Sequence, residues 1–337
     1  MSTPRHIVSL AGLLVSLCSA AAAAQVVIKL GTVAPEGSIW HDVLLETRQQ
    51  WREISDGEVE LRIYAGGVLG GEDEMVRKMQ RRGLDALAVS GSGLPLFDSI
   101  VGCLNLPMLF NSYEELDFVR NEIAPELEQS FEQHGYKILS WAEAGWVHFF
   151  AKSPVRTPGD LRQLRLWTGA GDSKGEQLAK ELGFRVVPLP ATDMLTGLQT
   201  GLIEVIDVPP LFALLDRGYQ AAPYMTALKF APLNAATVMT LAAWERLPAG
   251  YRDRLAAAAR ASAATLRGEI HRAEEEAIGE MVARGLTVVD LDAQTVAQWR
   301  SESVAAYPRL DCALEHPALF DKVLRLQRER AATDGSD

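Results

Sequence analysis

Two periods of hydrophobicity alternate along most of this chain. Segments in which apolar and polar residues alternate, or which are apolar throughout, predict β-strands, whereas apolar residues at every third or fourth position predict helices. The strand-type segments are residues 26–33, 59–66, 84–90, 136–145, 148–154, 164–167, 184–190, 202–210, 233–242 and 287–292. The helix-type segments are residues 38–55, 72–83, 112–135, 173–183, 192–201 and 248–285, followed by a mostly helical C-terminal segment. Strands that alternate with helices in this way predict an α/β fold.

The order of these segments predicts two lobes rather than two domains joined by a linker. The chain has two halves rich in strand–helix units, and it crosses between them more than once. Pro125 predicts a break inside the helix-type segment 112–135, because proline removes a backbone donor. We assign residues 25–147 and 233–255 to lobe I, 148–232 and 256–300 to lobe II, and 301–337 to a C-terminal helical extension.

The first 24 residues have the pattern of a secretory signal peptide. Arg5 lies near the start, and residues 7–17 form an apolar run that is too short to span a bilayer comfortably. Residues 22–24 are alanines, which suit a cleavage site before Gln25. A lipoprotein acylated at Cys18 is a weaker alternative. The sequence therefore predicts export across the inner membrane and a periplasmic location.

The charge of the chain excludes a nucleic-acid partner. It has 44 acidic residues against 33 lysines and arginines, for a formal net charge of −11. Nucleic-acid phosphates require clustered basic side chains. Two cysteines, Cys103 and Cys312, follow the predicted cleavage site. An oxidising compartment allows them to pair, but Cys103 lies in an apolar run, so we expect a buried, unreactive thiol, with a disulfide as the alternative.

The strongest candidate for an enzyme motif is the glycine-rich stretch LRLWTGAGDSKG, residues 164–175. A strand, glycines 169, 171 and 175, and a following helix resemble a dinucleotide-binding unit. The glycine spacing is one residue too long, and the next strand ends without an acidic residue for a ribose. The histidines form no metal-binding pattern, and no nucleophile elbow occurs. We therefore predict no cofactor, no metal and no catalytic residue.

Five stretches, in order between Val26 and Gly285, resemble the DctP-type solute-binding proteins of tripartite ATP-independent periplasmic (TRAP) transporters. They are VVIKLGTVAPEGSIWHD, DGEVELRIYAGGVLGGEDEMVRKMQRRGLDALAVSG, LNLPMLFNSYEEL, SPVRTPGDLRQLRLW and MLTGLQTGLIEVIDVPP. The resemblance implies a two-lobed periplasmic binding protein of α/β class, with crossing hinge strands and a long interlobe helix. It also implies a ligand enclosed between the lobes and delivered to membrane permease subunits.

The chain departs from the family pattern at the positions that bind ligand. Trp167 stands where the resemblance implies an arginine that grips a ligand carboxylate in a bidentate pair. Val147 replaces another arginine, and Val208 replaces an asparagine. These differences indicate a subset that lacks the anchoring arginine, for which Arg165, two residues before the tryptophan, could in principle substitute. The other residues that we predict to line the cleft are Ser90, Trp40, Trp146, Phe149 and Phe212.

The loss of the arginine predicts a small apolar or aromatic ligand, or a cation held over an aromatic ring, because an unpartnered carboxylate is costly to bury. Two alternatives remain: a carboxylate ligand anchored by Arg165 or another cation, and an enzyme or sensor on the same fold. The expected partners are the TRAP permease subunits. A periplasmic helical-repeat lipoprotein is a further partner that the resemblance suggests for members without the arginine.

Overall fold

The computed structural model describes residues 25–91, 93–171 and 173–334. The predicted signal peptide, residues 1–24, lies outside the described residues. Within the described part of the chain, no helix is both long and apolar enough to cross a membrane.

Strands from both halves of the chain join in one path of hydrogen-bonded neighbours, in the order β2-β1-β3-β9-β4-β7-β5-β6. Strand β8 pairs with β4, and β10 pairs with β8. The strands are β1 (Val26–Thr32), β2 (Val59–Tyr64), β3 (Ala86–Ser90), β4 (Tyr136–Ala151), β5 (Arg165–Gly169), β6 (Arg185–Leu189), β7 (Val205–Val208), β8 (Tyr224–Thr226), β9 (Ala231–Thr240) and β10 (Thr287–Val289). Parallel pairs dominate at both ends, as expected for strand–helix–strand units.

Helices cover the sheet and confirm the mixed α/β class. They are α1 (Ile39–Ile54), α2 (Glu72–Gln80), α3 (Tyr113–Gln133), α4 (Pro158–Gln163), α5 (Ser173–Glu181), α6 (Met194–Thr200), α7 (Pro210–Leu215), α8 (Gly218–Ala221), α9 (Leu241–Arg246), α10 (Arg252–Ala283), α11 (Ala293–Ala306), α12 (Asp311–Glu315) and α13 (Pro317–Asp334). Short 3₁₀ helices span Leu94–Leu96, Ser99–Leu104, Ala191–Asp193 and Tyr307–Arg309.

Two long antiparallel strands connect the lobes. Strand β4 runs unbroken over 16 residues, pairing first with β9 and then with β7 and β8. The sequence predicted two strands with a turn between them, near Gly145. This prediction was wrong, because Gly145 adopts a positive φ of 122° at a β-bulge within the continuous strand. A bulge bends a strand without ending it.

The long helix α10 contacts both lobes. Its first turns carry Leu255 and Ala259 into the core of lobe I, although the sequence assigned residues from 256 onward to lobe II, while Met281 near its end packs in the core of lobe II. The C-terminal helix α13 does not stand apart as an extension, since its buried Val323 joins the core that contains α3. The predicted break at Pro125 is absent: α3 continues through it. The apolar face of α3 is buried on both sides of the proline, and this packing offsets the lost hydrogen bond.

Cys103 and Cys312 form a disulfide, and their Cα atoms are 5.1 Å apart. The expectation of an unreactive thiol was therefore wrong. Both residues are buried in the core of lobe I, where the 3₁₀ helix Ser99–Leu104 contacts α12. The bond ties the C-terminal helices to a segment 209 residues earlier.

Candidate functional site

A cavity of about 350 Å³ lies where the two lobes meet. Lobe I contributes residues from β1, α1, β3 and β9, and lobe II contributes residues from β5, β7 and α7. Of the eight residues predicted to line a cleft, the structure brings six together in the wall of this cavity. They are Trp40, Ser90, Val147, Trp167, Val208 and Phe212. A concave and mostly apolar site between lobes is the usual form of a small-molecule site. Their contact with a ligand stays a prediction.

Trp167 forms part of the cavity wall from lobe II. It lies in β5, its side chain is 7% exposed, and the indole Nε1 donates a hydrogen bond to the carbonyl oxygen of Leu189, 3.0 Å away. The hydrogen bond satisfies the polar edge of the indole and fixes the ring orientation. Trp167 belongs to the same hydrophobic core cluster as Met194 and Val208. The tryptophan therefore offers the cavity an apolar surface of fixed orientation.

Trp40 lines the same cavity from lobe I. It lies in the first turn of α1, a helix that begins at the N-cap Ser38, whose side chain accepts a hydrogen bond from the backbone N–H of His41. The indole Nε1 of Trp40 is buried and has no hydrogen-bond partner among the described residues. A buried indole N–H usually finds an acceptor. This donor is therefore left unsatisfied in a residue of the cavity wall.

Trp146 and Phe149 are placed away from the cavity, which corrects the sequence prediction for both. Trp146 is 1% exposed in the core of lobe I, and its backbone N–H donates to Glu274 of α10. Phe149 is also 1% exposed and stacks on Trp299 of α11, with ring centroids 5.4 Å apart. Successive strand residues point to opposite faces, so Val147, which follows Trp146, reaches the cavity in its place.

Arg165 is not a cavity residue. Its guanidinium donates to the carbonyl oxygens of Leu202 and Gly201 and lies 3.3 Å from a carboxylate oxygen of Glu204. The side chain is 44% exposed, at the start of β5, whereas Trp167 lies further along the strand toward the cavity. These contacts hold the only arginine that the sequence offered as a substitute at the surface of lobe II.

Two carboxylates in the cavity wall have protein partners. Glu72, the first residue of α2, accepts hydrogen bonds from the backbone N–H and the hydroxyl of Ser90, at 2.7 and 3.0 Å. Glu143 of β4 pairs with the buried guanidinium of Arg120 at 2.6 Å. Arg267 adds a second contact to Glu143 at 3.4 Å. Both acids thus have protein partners, although Oε2 of Glu143 has no hydrogen bond among the described residues and lies 3.6 Å from Nε2 of His271.

Asp207 is the third carboxylate in the cavity wall, and sequence reasoning missed it. It lies in β7 next to Val208, and its Oδ1 accepts no hydrogen bond from the described residues. Burial raises the pKa of Asp207 to about 7, opposed only by a hydrogen bond from its own backbone N–H. The available signal was an acidic residue near the carboxyl end of a predicted apolar strand, where ligand sites occur in α/β folds.

The glycine-rich turn connects β5 to α5, and the cavity wall includes Gly169 from it. Gly171 has a φ of 106°, a conformation that favours glycine. The turn therefore has a conformational reason for its glycines that needs no phosphate. No group of three or more histidine, cysteine or acidic side chains among the described residues is arranged to hold a metal ion.

A profile of the DctP family, described as "Bacterial extracellular solute-binding protein, family 7", matches residues 30–311. A "Solute-binding protein" of Verminephrobacter eiseniae is 27% identical over 277 residues, which are 80% of this chain and 81% of that protein. The "2,3-diketo-L-gulonate-binding periplasmic protein YiaO" of Escherichia coli is 22% identical over 247 residues, or 72% of this chain and 74% of that protein. These relatives are solute-binding proteins rather than enzymes.

Solved structures show the same fold. A TRAP periplasmic solute-binding protein from Xanthobacter autotrophicus, with bound β-D-galacturonate, has a TM-score of 0.82 at 19% identity, covering 89% of this chain and 99% of that one. A similar protein from Shewanella oneidensis, with bound succinate, has a TM-score of 0.83 at 20% identity, covering 90% of this chain and 100% of that one. The predicted two-lobed architecture and family are confirmed. The chain belongs to the DctP family of bacterial extracellular solute-binding proteins, which are periplasmic and serve TRAP transporters.

Proposed function

We propose that this TRAP solute-binding protein captures a small, largely apolar or aromatic molecule between its lobes. The observation that carries the proposal is the composition of the cavity wall: among the described residues, no arginine, lysine or histidine lines it. Aromatic rings from both lobes, Trp40, Trp167 and Phe212, line it instead. Two nearby guanidinium groups are committed elsewhere, that of Arg165 to backbone carbonyls and that of Arg120 to Glu143.

Desolvation energies favour the apolar ligand. Moving a carboxylate out of water without a partner costs several kcal/mol, and the cavity supplies no cation to offset that cost. An apolar surface gains roughly 25 cal/mol for each Å² that it buries. A ligand that covers about 150 Å² of apolar wall and ligand surface would gain roughly 4 kcal/mol. The same cavity therefore discriminates against simple dicarboxylates and sugar acids.

A carboxylate ligand is the second candidate, since the related structures contain galacturonate and succinate. This function would require a cation to enter the cavity when the lobes close. Arg165 would have to leave its carbonyl partners and the carboxylate of Glu204 to do so. The contacts of Arg165 thus argue against this candidate, which only titration with such acids can test.

In transport, binding energy would shift the balance between open and closed lobes, and the closed form would deliver the ligand to the membrane permease subunits. Strands β4 and β9 connect the lobes and are the elements about which such a motion would occur. A helical-repeat lipoprotein stays a candidate partner on the resemblance alone.

The test is a titration of the purified mature protein with indole-3-ethanol, succinate and galacturonate. We expect indole-3-ethanol to bind, and Trp167→Ala to weaken its binding at least tenfold because the apolar wall is lost. Arg165→Ala is the matched control, and we expect it to change the affinity less than twofold. If succinate or galacturonate binds at micromolar concentration and this binding survives Arg165→Ala, two proposals are refuted: that the ligand is apolar, and that Arg165 anchors a carboxylate.

A further inference from the structure

Asp207 is the one carboxylate of the cavity wall that, among the described residues, has neither an ion pair nor a hydrogen bond from another residue. Asp207, Glu72 and Glu143 all line the cavity. Glu72 is hydrogen-bonded to Ser90, and Glu143 is paired with Arg120. Among the described residues, no ion pair reaches Asp207, and its buried Oδ1 accepts no hydrogen bond. Buried acids almost always have a partner, so this group indicates a partner that comes from outside the chain.

We propose that Asp207 anchors a protonated amine carried by the ligand, whose apolar body contacts Trp40, Trp167 and Phe212. The proposal rests on the proposed function, because it names the polar group of the same apolar ligand. An ammonium supplies the hydrogen-bond donor and the positive charge that Asp207 lacks. Aromatic side chains in the same cavity wall add attraction for a cation.

Neighbouring charges do not already satisfy Asp207. On β4, His148 is buried and bonds through Nδ1 to the carbonyl of Thr226. On β5, Arg165 is held by Gly201, Leu202 and Glu204. Two further titratable groups have their own partners: Asp216 accepts from the backbone N–H of Gly218, and Glu274 of α10 accepts from Tyr113 and Trp146. The pKa of Asp207 is raised by burial, with no neighbouring charge among its causes.

The experiment compares ligands that share a body and differ in one polar group. Tryptamine, indole-3-ethanol and indole-3-acetate form one series, and phenethylamine, 2-phenylethanol and phenylacetate form a second. We expect, at pH 8 by isothermal titration calorimetry, the amine of at least one series to bind at least tenfold tighter than its alcohol. The acids should bind more weakly than the alcohols. Failure of both amines to bind at 1 mM, or tighter binding of the acids, overturns the proposal.

The variant Asp207→Asn removes the charge and keeps the size of the side chain. We expect it to weaken amine binding by about ten- to a hundredfold, the loss typical of a hydrogen bond to a charged group, while alcohol binding changes less than threefold. The matched control is Asp321→Asn, which removes an equal charge from an exposed position on α13. It should change neither affinity. Equal affinity of the amine for wild type and Asp207→Asn overturns the proposal.

Binding should also depend on pH in a defined direction. Asp207 must be ionised to pair with the ammonium, and its pKa in the empty cavity is about 7. The amines, with pKa values near about 10 like that of lysine, stay protonated at lower pH. We therefore expect amine affinity to fall by at least threefold from pH 8 to pH 6 in wild type, and to stay constant in Asp207→Asn. A pH-independent amine affinity in wild type contradicts the proposed ion pair.

The outcomes separate this proposal from the proposed function. If the alcohols bind with an affinity that Trp167→Ala reduces, but the amines show no advantage, only the role of Asp207 fails. If succinate or galacturonate binds at micromolar concentration and no member of either series does, the apolar ligand fails as well.

Discussion

Replacing Asp207 with asparagine should stabilise the empty protein, although it removes a polar anchor from the cavity. Burial raises the pKa of Asp207 from 3.8 to about 7. The folded protein therefore holds a proton that the unfolded chain loses near pH 4. Between these two pKa values the unfolded state binds fewer protons than the folded state, so stability falls as pH rises. Above about pH 7 both states are ionised, and the full cost of the buried charge is present.

The size of the destabilisation follows from the difference between the pKa of Asp207 in the folded protein and its ordinary value. A difference of about three pKa units corresponds to roughly 4 kcal/mol, at about 1.4 kcal/mol for each unit. This value is an upper limit, because the cavity leaves part of the Asp207 side chain accessible to water, which lowers the cost of its charge. Of this total, roughly 2 kcal/mol accumulates between pH 5 and pH 7. Asparagine carries no charge at any of these pH values and lacks this dependence.

The assay is urea denaturation of wild type and Asp207→Asn, without ligand, at pH 5, 6, 7 and 8. We expect the advantage of the variant to grow by roughly 1–3 kcal/mol from pH 5 to pH 8. Every other titrating group cancels in the difference between the two proteins. Asp321→Asn should differ from wild type by a small amount that does not change with pH. A difference between wild type and Asp207→Asn that stays flat within about 0.5 kcal/mol would refute the view that Asp207 is desolvated.

Three further changes test the frame around the cavity. The double variant Cys103→Ala and Cys312→Ala should unfold at lower temperature in thermal scans, because its free energy of unfolding falls by up to roughly 5 kcal/mol for a loop of this length. Reductant should destabilise only wild type. Arg120→Met should lower the free energy of unfolding in urea by roughly 3–5 kcal/mol, because it leaves the buried Glu143 without its closest cation; no loss would show that Arg267 suffices. Gly145→Ala should cost about 2 kcal/mol, measured in the same way, because of its positive φ and a carboxylate oxygen of α10 that lies 2.2 Å from an added Cβ.

Most of the fold could be predicted because it depends on local periodicity. The strand and helix patterns predicted nine of the ten strands and the long helices, and their alternation gave the class, but they missed β8 and the short helices α4, α7, α8 and α9. The error at Gly145 had another cause. A bulge and a turn both use a glycine with positive φ, and only the pairing of β4 with β9 and β7 distinguishes them. Likewise, Pro125 ends a helix unless packing on both sides holds it. Long-range contacts decided both cases.

The candidate site was less predictable, because it depends on which face of a strand a residue occupies and what lies opposite. Trp146 and Val147 are adjacent, and the sequence favoured both for the cavity. The contact of the Trp146 backbone with Glu274, 128 residues away, fixes which of them faces inward. The pairing of Cys103 with Cys312 also depends on contacts between distant segments. Asp207 was missed since its lack of a partner is a property of its surroundings, which no local pattern records.

Two polar groups of the cavity wall, one from each lobe, also explain how a ligand could favour closed lobes. The indole N–H of Trp40 belongs to lobe I, and the carboxylate of Asp207 belongs to lobe II; neither has a hydrogen-bond partner for its buried polar atom among the described residues. A ligand that accepts from the first and donates to the second would remove a penalty from each lobe only when both lobes contact it. Because such a ligand interacts more strongly with the closed form than with the open one, its binding energy shifts the population toward closure. The same reasoning links the two predictions for Asp207→Asn. The empty protein carries an unfavourable desolvation energy at Asp207, and a ligand that donates to this carboxylate relieves it. Removing the charge should therefore stabilise the empty protein and weaken ligand binding.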